Sequence, residues 1–299
     1  MNSIHELAKQ FKHKFSSTPK YVSYAPGRVI IIGSTSSCNE GHTLSFCTQY
    51  GLTIIADESI NGYCNVYSER VDDSTEINLD SLQTKVGKAW SKILQITIER
   101  FQETIKVTGK TFNAYIHSNL DIGVGYSSIS SLIVAFYNLL LLINNKTISV
   151  TLNFERFPVA KDPQYKKSFM LSNQIDCYKR SLHVISDNFR VLSAKASITA
   201  QEWSWLGRYL SASQESLVKN FNLTNKEIED LIDHTREFAK NQHGLYGSKM
   251  ISIGRNDSII VFIEGKVVEM FVEYISVLCV SISGVKILTI RWISSVTIG

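Results

Sequence analysis

Asn119-Leu-Asp-Ile-Gly-Val-Gly-Tyr-Ser-Ser-Ile-Ser-Ser-Leu132 separates a β-like run, Phe112 to His117, from an apolar helical pattern through Leu132, Val134, Ala135, Leu139, Leu140 and Ile143. Two glycines and several serines therefore sit where a helix begins. The first N–H groups of a helix lack intrahelical acceptors and carry the positive end of its dipole, and Gly123 and Gly125 let the backbone approach a phosphate closely. Ser127 and Ser128 would add hydroxyl donors, or ligate a metal carried by that phosphate. The same residues also fit a plain Gly-rich turn with a serine N-cap, and the stretch alone leaves both readings open. It is not a Walker loop, since no Lys-Ser/Thr follows the glycines, and it lacks the third glycine of a dinucleotide fingerprint.

Toward the N-terminus the chain is mostly strand. Gly87 to Phe101 has a helical period with Trp90, Ile93, Leu94, Ile98 and Phe101 inward, and strand patterns cover His42 to Cys47, Leu52 to Ala56 and Cys64 to Tyr67. Lys20 to Tyr24 and Val29 to Ile32 read as two strands joined by Ala25-Pro26-Gly27-Arg28. Pro26 lacks a backbone donor and Gly27 permits an unusual dihedral, so this link is expected to be tight and irregular and to project Arg28 outward. Ile4, Leu7, Phe11 and Phe15 mark an amphipathic first helix, not a secretory leader.

Toward the C-terminus, Thr151 to Lys167 contains Pro158 and Pro163 and shows no period, which suggests a connector. Helical patterns follow over Asp176 to Ala200, Gln201 to Phe221 and Asn225 to Asn241, with Thr224 or Asn225 as an N-cap. Strands are expected at Lys249 to Ile253, Ser258 to Ile263 and Val285 to Trp292, and a helix near Val267 to Leu278. The domain organisation predicted from this pass is 1–150, a connecting segment 151–175, and 176–299.

Composition narrows the function classes. With 299 residues and 44% hydrophobic content the chain can bury a large core and is long enough for an enzyme. Its 31 basic and 27 acidic residues leave a net charge of +4, spread along the chain and not gathered into a basic arm, so nucleic-acid binding gains no support. Five cysteines without a Cys-x-x-Cys pair suggest reduced thiols in a cytoplasmic chain and imply no metal site. The apolar runs Leu132 to Ile143 and Phe271 to Ile282 are too short for a membrane span or carry a charge, Glu273. His42, His117, His183 and His243 lack metal-ligand spacing and read as ordinary packing or turn residues.

Three separated stretches coincide with one family. Tyr24-Ala-Pro-Gly-Arg-Val-Ile-Ile-Ile-Gly33 resembles the first motif of galactokinases, members of the GHMP small-molecule kinase superfamily. Asp121-Ile-Gly-Val-Gly-Tyr-Ser-Ser128 resembles their phosphate loop, P-x-G-x-G-L-S-S-S, and Gly244-Leu-Tyr-Gly-Ser-Lys-Met250 with Gly254 resembles the start of their third motif. Val66-Tyr-Ser-Glu69, Glu76-Ile-Asn-Leu-Asp80 and Tyr178-Lys-Arg-Ser-Leu-His-Val-Ile-Ser-Asp-Asn188 continue the agreement between motifs.

The resemblance implies an α+β GHMP-kinase fold of two domains, a mixed-sheet N-terminal domain and a ferredoxin-like C-terminal one. It implies transfer of a phosphoryl group from ATP, with Mg²⁺, to the anomeric hydroxyl of galactose or a related sugar, by a cytoplasmic monomer that needs neither nucleic acid nor membrane. Carried over by position, it makes Arg28 catalytic and Asn39 and Tyr165 substrate-binding. It assigns Gly123, Gly125, Ser127, Ser128 and Trp90 to the nucleotide and Ser128 also to the metal. Trp90 fits a helix-core role better than a place beside the nucleotide, and a surface ion pair is the lesser alternative for Arg28.

The departures weigh against turnover. Where the family reads G-E-H-T-D-Y and grips sugar hydroxyls, this chain reads Gly33-Ser34-Thr35-Ser36-Ser37-Cys38. Asp121, Tyr126 and Ile129 replace the proline, leucine and third serine of the phosphate loop, and the third motif decays after Met250. Between Ser149 and roughly Asn153 the chain skips the family segment that carries the catalytic aspartate in a G-x-M-D-Q pattern, and Asp176 does not replace it by position. General-base assistance is worth about 10²–10⁴ in rate, so an impaired or inactive galactokinase relative is expected. The alternatives are a nucleotide- or sugar-binding regulator without turnover, and a truncated gene product without activity.

Overall fold

The computed structural model describes residues 4–36, 41–82, 89–146, 174–252, 258–278 and 296–298. The chain divides into two compact units that interleave in sequence: Met1–Gly27, Thr48–Ile122 and Tyr126–Phe154 form the first, and Arg28–Cys47, Gly123–Gly125 and Glu155–Gly299 the second. The division therefore does not follow one cut in the sequence; two short N-terminal stretches go with the C-terminal half.

In the first unit, α1 (Ile4–Phe15) precedes a sheet of β1 (Tyr21–Ile32), β2 (Leu44–Glu58), β3 (Tyr63–Ser68), β4 (Asp73–Asn78) and β5 (Phe112–Ser118), ordered β1-β2-β5-β3-β4. The strands β1 and β2 run on into the second unit, where the short β8 (Val296–Ile298) pairs with Leu44 to Phe46. The sheet is mixed: β5 is antiparallel to β2 from Leu52↔Ser118 to Glu58↔Phe112, and parallel to β3 from Asn65↔Asn113 to Ser68↔Ile116. α1 lays Leu7 and Phe11 on Ile55 and Tyr115. The helices α2 (Ala89–Ile105) and α3 (Ser128–Ile143) bring Phe101 against Tyr137 edge to face, and Phe136 of α3 meets Phe112 of β5 in the same way.

β1 differs from the sequence reading. It is one strand of 12 residues with Pro26 and Gly27 inside it, not two strands around an irregular link. Among the described residues β1 ends the strand order, and a strand at an edge tolerates proline because one of its sides has no ladder to break. Gly27 serves close packing and not an unusual dihedral: a Cβ there would stand 2.5 Å from Leu120 Cδ2 and 2.7 Å from Thr48 Oγ1. The outward projection of Arg28 holds, since its side chain is exposed. β2 likewise fuses the two stretches read separately, and β4 was not foreseen, because Asp73-Ser-Thr-Glu-Ile-Asn78 buries only Thr75 and Ile77.

The second unit holds α4 (Gln174–Thr199), α5 (Trp203–Ser216), α6 (Lys226–Asn241), the hairpin β6 (Leu245–Ser252) and β7 (Ser258–Ile263), and α7 (Val268–Leu278). Asn225 caps α6, its side chain accepting from the Ile228 N–H at 2.9 Å. The helix read over 201–221 is divided: α5 ends at Ser216 and Leu217–Phe221 continue as a π-turn, closed by Asn222 in the left-handed region. Phe238, Val267, Phe271 and Ile275 form one core cluster, and Leu217, Ile228, Ile232 and Met250 another. No helix among the described residues is long and apolar enough to cross a membrane. The expected connector 151–175 and the strand at 285–292 lie outside the described residues, except for Gln174 and Ile175, which start α4.

Candidate functional site

The Gly-Ser stretch turns from β5 into α3 as the sequence suggested. Gly123, Gly125 and Ser127 have φ of +84°, +81° and +53°, so every second residue is left-handed, the alternation from which anion-binding backbone concavities are built. Ser127 is the N-cap of α3 but its side chain makes no cap bond; its carbonyl takes the Ser131 N–H at 3.0 Å, leaving the N–H groups of the first turn directed along the helix axis. Both hydroxyls, of Ser127 and Ser128, are half-buried. α3 is fixed in place by two hydroxyls: Ser131 Oγ donates to the Pro26 carbonyl at 2.8 Å and Ser23 Oγ to that of Ala135 at 2.7 Å.

The substituted residues of the loop are absorbed structurally. Asp121 pairs with Arg70 at 3.0 Å, and Tyr126 is buried against Tyr50 with rings nearly parallel at 6.1 Å. Burial pushes the Tyr126 hydroxyl up to about 12, so the ring is a neutral packing group. In the second unit, Val124 O accepts from Ser258 Oγ at 3.1 Å, and a Cβ on Gly125 would stand 3.2 Å from Ile251.

A second polar cluster, also in the second unit, surrounds the stretch after β1. Asp187 of α4 accepts from the Gly33 N–H at 3.3 Å and from Arg190 Nη1 at 3.1 Å. His183, one turn earlier and fully buried, has Thr35 Oγ1 3.0 Å from Nε2 and Ser216 Oγ 2.9 Å from Nδ1. Ser36 Oγ donates to the Val184 carbonyl, and Asn188 Oδ1 accepts from the His42 N–H. Lys249 of β6 is buried, its Nζ 3.3 Å from the Met250 carbonyl. Desolvation pushes its amine down to about 8, against the opposing pull of Asp187. Burial also lowers His183, with Asp187 again working the other way.

The galactokinase galactose-binding signature matches residues 9–58. The galactokinase of Lactobacillus helveticus is 21% identical over an alignment of 360 residues, covering 89% of this chain and 91% of that protein. The galactokinase of Staphylococcus saprophyticus is 20% identical over 365 residues, covering 91% and 93%. The chain is thus similar to galactokinases along nearly its whole length, and both alignments exceed its 299 residues, so it is internally shorter than these two relatives. Its fold is that of the GHMP kinases. The galactose-bound galactokinase of Lactococcus lactis superposes with a TM-score of 0.70 at 18% identity, over 99% of this chain and 97% of that one. Mevalonate kinase of Methanococcus jannaschii gives 0.65 at 12%, over 93% and 96%.

Among the candidate residues, Arg28 lies at the boundary where β1 enters the second unit and makes no ion pair with a described carboxylate. Gly123 and Gly125 belong to that unit as well, whereas Ser127, Ser128 and Trp90 belong to the first. Trp90, at the start of α2, is half-buried and donates from Nε1 to Asp73 Oδ2 at 3.0 Å. Asn39 and Tyr165 lie outside the described residues. Asp176 is exposed in the first turn of α4. His183, Asp187 and Lys249 carry no assigned role in the motif comparison. Against the reading that His183 lacks ligand-type spacing, His183 and Asp187 stand i, i+4 on α4, a signal that these two polar side chains share one helix face.

Proposed function

We propose that this chain holds the phosphates of an adenine nucleotide at the Gly123–Ser128 turn but phosphorylates galactose poorly or not at all. ATP with Mg²⁺ fits the residues present: two left-handed glycines, a left-handed serine N-cap and the open first turn of α3 offer backbone N–H donors, and Ser128 offers a metal-ligating hydroxyl. When bound, the nucleotide supplies the γ-phosphoryl group and the metal neutralises its charge. The polarity of the turn depends on backbone groups, which tolerate the exchange of neighbouring side chains.

The observation that carries the loss of turnover is the inward engagement of Thr35 and Ser36. Thr35 stands at the histidine and Ser36 at the threonine of the family's G-E-H-T-D-Y stretch, and here their hydroxyls are engaged with His183 and with the Val184 carbonyl of α4. Asp187, the buried carboxylate beside them, has one oxygen on the Gly33 N–H and the other on Arg190, which suits an anchor and not a base. Each charged hydrogen bond to a sugar is worth about 1.5–3 kcal/mol, and the missing base a further 3–5 kcal/mol or so on the barrier.

A second reading, galactose binding without phosphorylation, is favoured by the signature match over residues 9–58. One experiment separates the two. Thermal shifts are measured with ATP and Mg²⁺, with galactose, and with both, beside an ADP-release assay. A shift with nucleotide alone and no ADP supports the first reading, and a shift with galactose and no ADP the second. Sustained ADP release that depends on galactose refutes both. The reading places the protein in the cytoplasm.

A further inference from the structure

The helix α4 has two faces. One carries His183, Asp187, Val191 and Ala194, all buried against the rest of the second unit. The other carries Tyr178, Leu182, Ile185, Phe189 and Leu192, which remain 69%, 42%, 58%, 67% and 45% exposed. These five positions are separated by 4, 3, 4 and 3 residues, the heptad spacing of a helix–helix seam. An unbroken exposed apolar stripe of this length on a helix face marks an interaction site. We propose that the stripe is the seam of a symmetric dimer, in which α4 of one copy packs antiparallel on α4 of a second copy about a two-fold axis near Ile185.

Three features select a second copy of this chain. The spacing is nearly the same read in either direction from Ile185, so two antiparallel copies bring Tyr178 over Leu192 and Leu182 over Phe189, each aromatic ring meeting an aliphatic side chain. Such self-complementarity is what an isologous two-fold interface requires. The positions flanking the seam include Ser181, Ser186, Asn188 and Ser193, which let the helices approach without like charges meeting. The two flanking lysines, Lys179 and Lys195, lie at opposite ends, and antiparallel docking carries Lys195 to the end of the partner helix whose first turn holds Asp176. The exposed fractions leave on the order of 600 Å² per copy and about 1,200 Å² for the pair, the lower edge of the range for specific interfaces. The inference departs from the monomer that the family resemblance implied.

Sedimentation velocity on the full chain across roughly 1 to 100 μM tests it by mass action. The expected result is a concentration-dependent dimer that Ile185→Glu and Phe189→Glu each convert to monomer, with an unchanged circular-dichroism spectrum, since both side chains are largely exposed. In a Cys177→Ser background, Ile185→Cys treated with diamide should yield a disulfide-linked dimer, because an axis at this position brings the two thiols together. Lys240→Cys, exposed on α6, should stay monomeric. If Ile185→Glu fails to fold, the cross-link decides. A chain that sediments as a monomer throughout, or a dimer that survives Ile185→Glu without cross-linking through Ile185→Cys, overturns the proposal.

Discussion

Thr35 Oγ1 and His183 Nε2 stand 3.0 Å apart although 148 residues separate them in sequence. The contact ties the stretch after β1 to α4, and Asp187 and Asn188 reinforce it through the backbone N–H groups of Gly33 and His42. The hydroxyls of Thr35 and Ser36 thus hold the chain to itself.

Asp187 is the most heavily bonded member of that tie. Asp187→Asn keeps an acceptor for Gly33 but removes the charge that faces Arg190 and Lys249. Leaving a buried cation without its partner costs about 3 kcal/mol. Urea unfolding should show that loss as a lower midpoint at unchanged slope, and a change below about 1 kcal/mol would show that Asp187 does not anchor Arg190 and Lys249.

Lys249 predicts a pH dependence of stability. Its amine sits at about 8 in the folded chain against 10.5 for the free side chain. Between these values the unfolded chain binds more protons than the folded one, so this residue's contribution to stability rises with pH across that window and costs most below 8. The change is about 3 kcal/mol in total. Lys249→Met should remove that rise, as read from unfolding free energies at several pH values from neutrality to pH 10. Buried tyrosines titrate in both proteins and cancel in the difference. Identical slopes for the two would show that Lys249 is solvated.

Gly125→Ala tests the backbone cradle. Alanine at φ +81° is strained by about 1–2 kcal/mol, and its Cβ would press on Ile251 at 3.2 Å. The unliganded protein should melt only a few degrees lower, while the thermal shift with ATP and Mg²⁺ disappears. Ser128→Ala should weaken that shift when Mg²⁺ is present and leave it unchanged with EDTA. A full-sized shift in Gly125→Ala would separate nucleotide binding from this turn.

Gly27→Ala addresses the edge strand. Its Cβ would fall 2.5 Å from Leu120 Cδ2, so the core beside β1 must shift, at about 1–3 kcal/mol. Chemical denaturation measures this directly. A neutral substitution would show that Leu120 has room to rotate away.

The family signature and element types followed from local pattern. Period 3.6 over Ile4 to Phe15 and over Asn225 to Asn241, the short β-branched and aromatic run over Ser258 to Ile263, and the glycine-serine turn before α3 are properties of neighbouring residues, so the sequence displays them without help. Asn225 was readable as a cap because an N-cap acts within three residues. Continuity of β1 through Pro26 was not readable, since proline inside a strand is tolerated only at an edge, and edges are decided by strand order. β4 was missed for a related reason: only two of its six side chains are buried, and the pairing with β3 that makes it a strand is a matter of register.

The hydroxyl-rich stretch Ser34-Thr-Ser-Ser37 was visible in the sequence alone. What those hydroxyls do was decided by the tertiary structure. Hydrogen bonds between Thr35 and His183, and between Gly33 and Asp187, join residues about 150 positions apart, and no local rule of spacing encodes such a meeting. The burial of Lys249 and the exposure of the Tyr178 to Leu192 stripe follow the same logic, because a side chain's environment is set by what the rest of the chain brings against it.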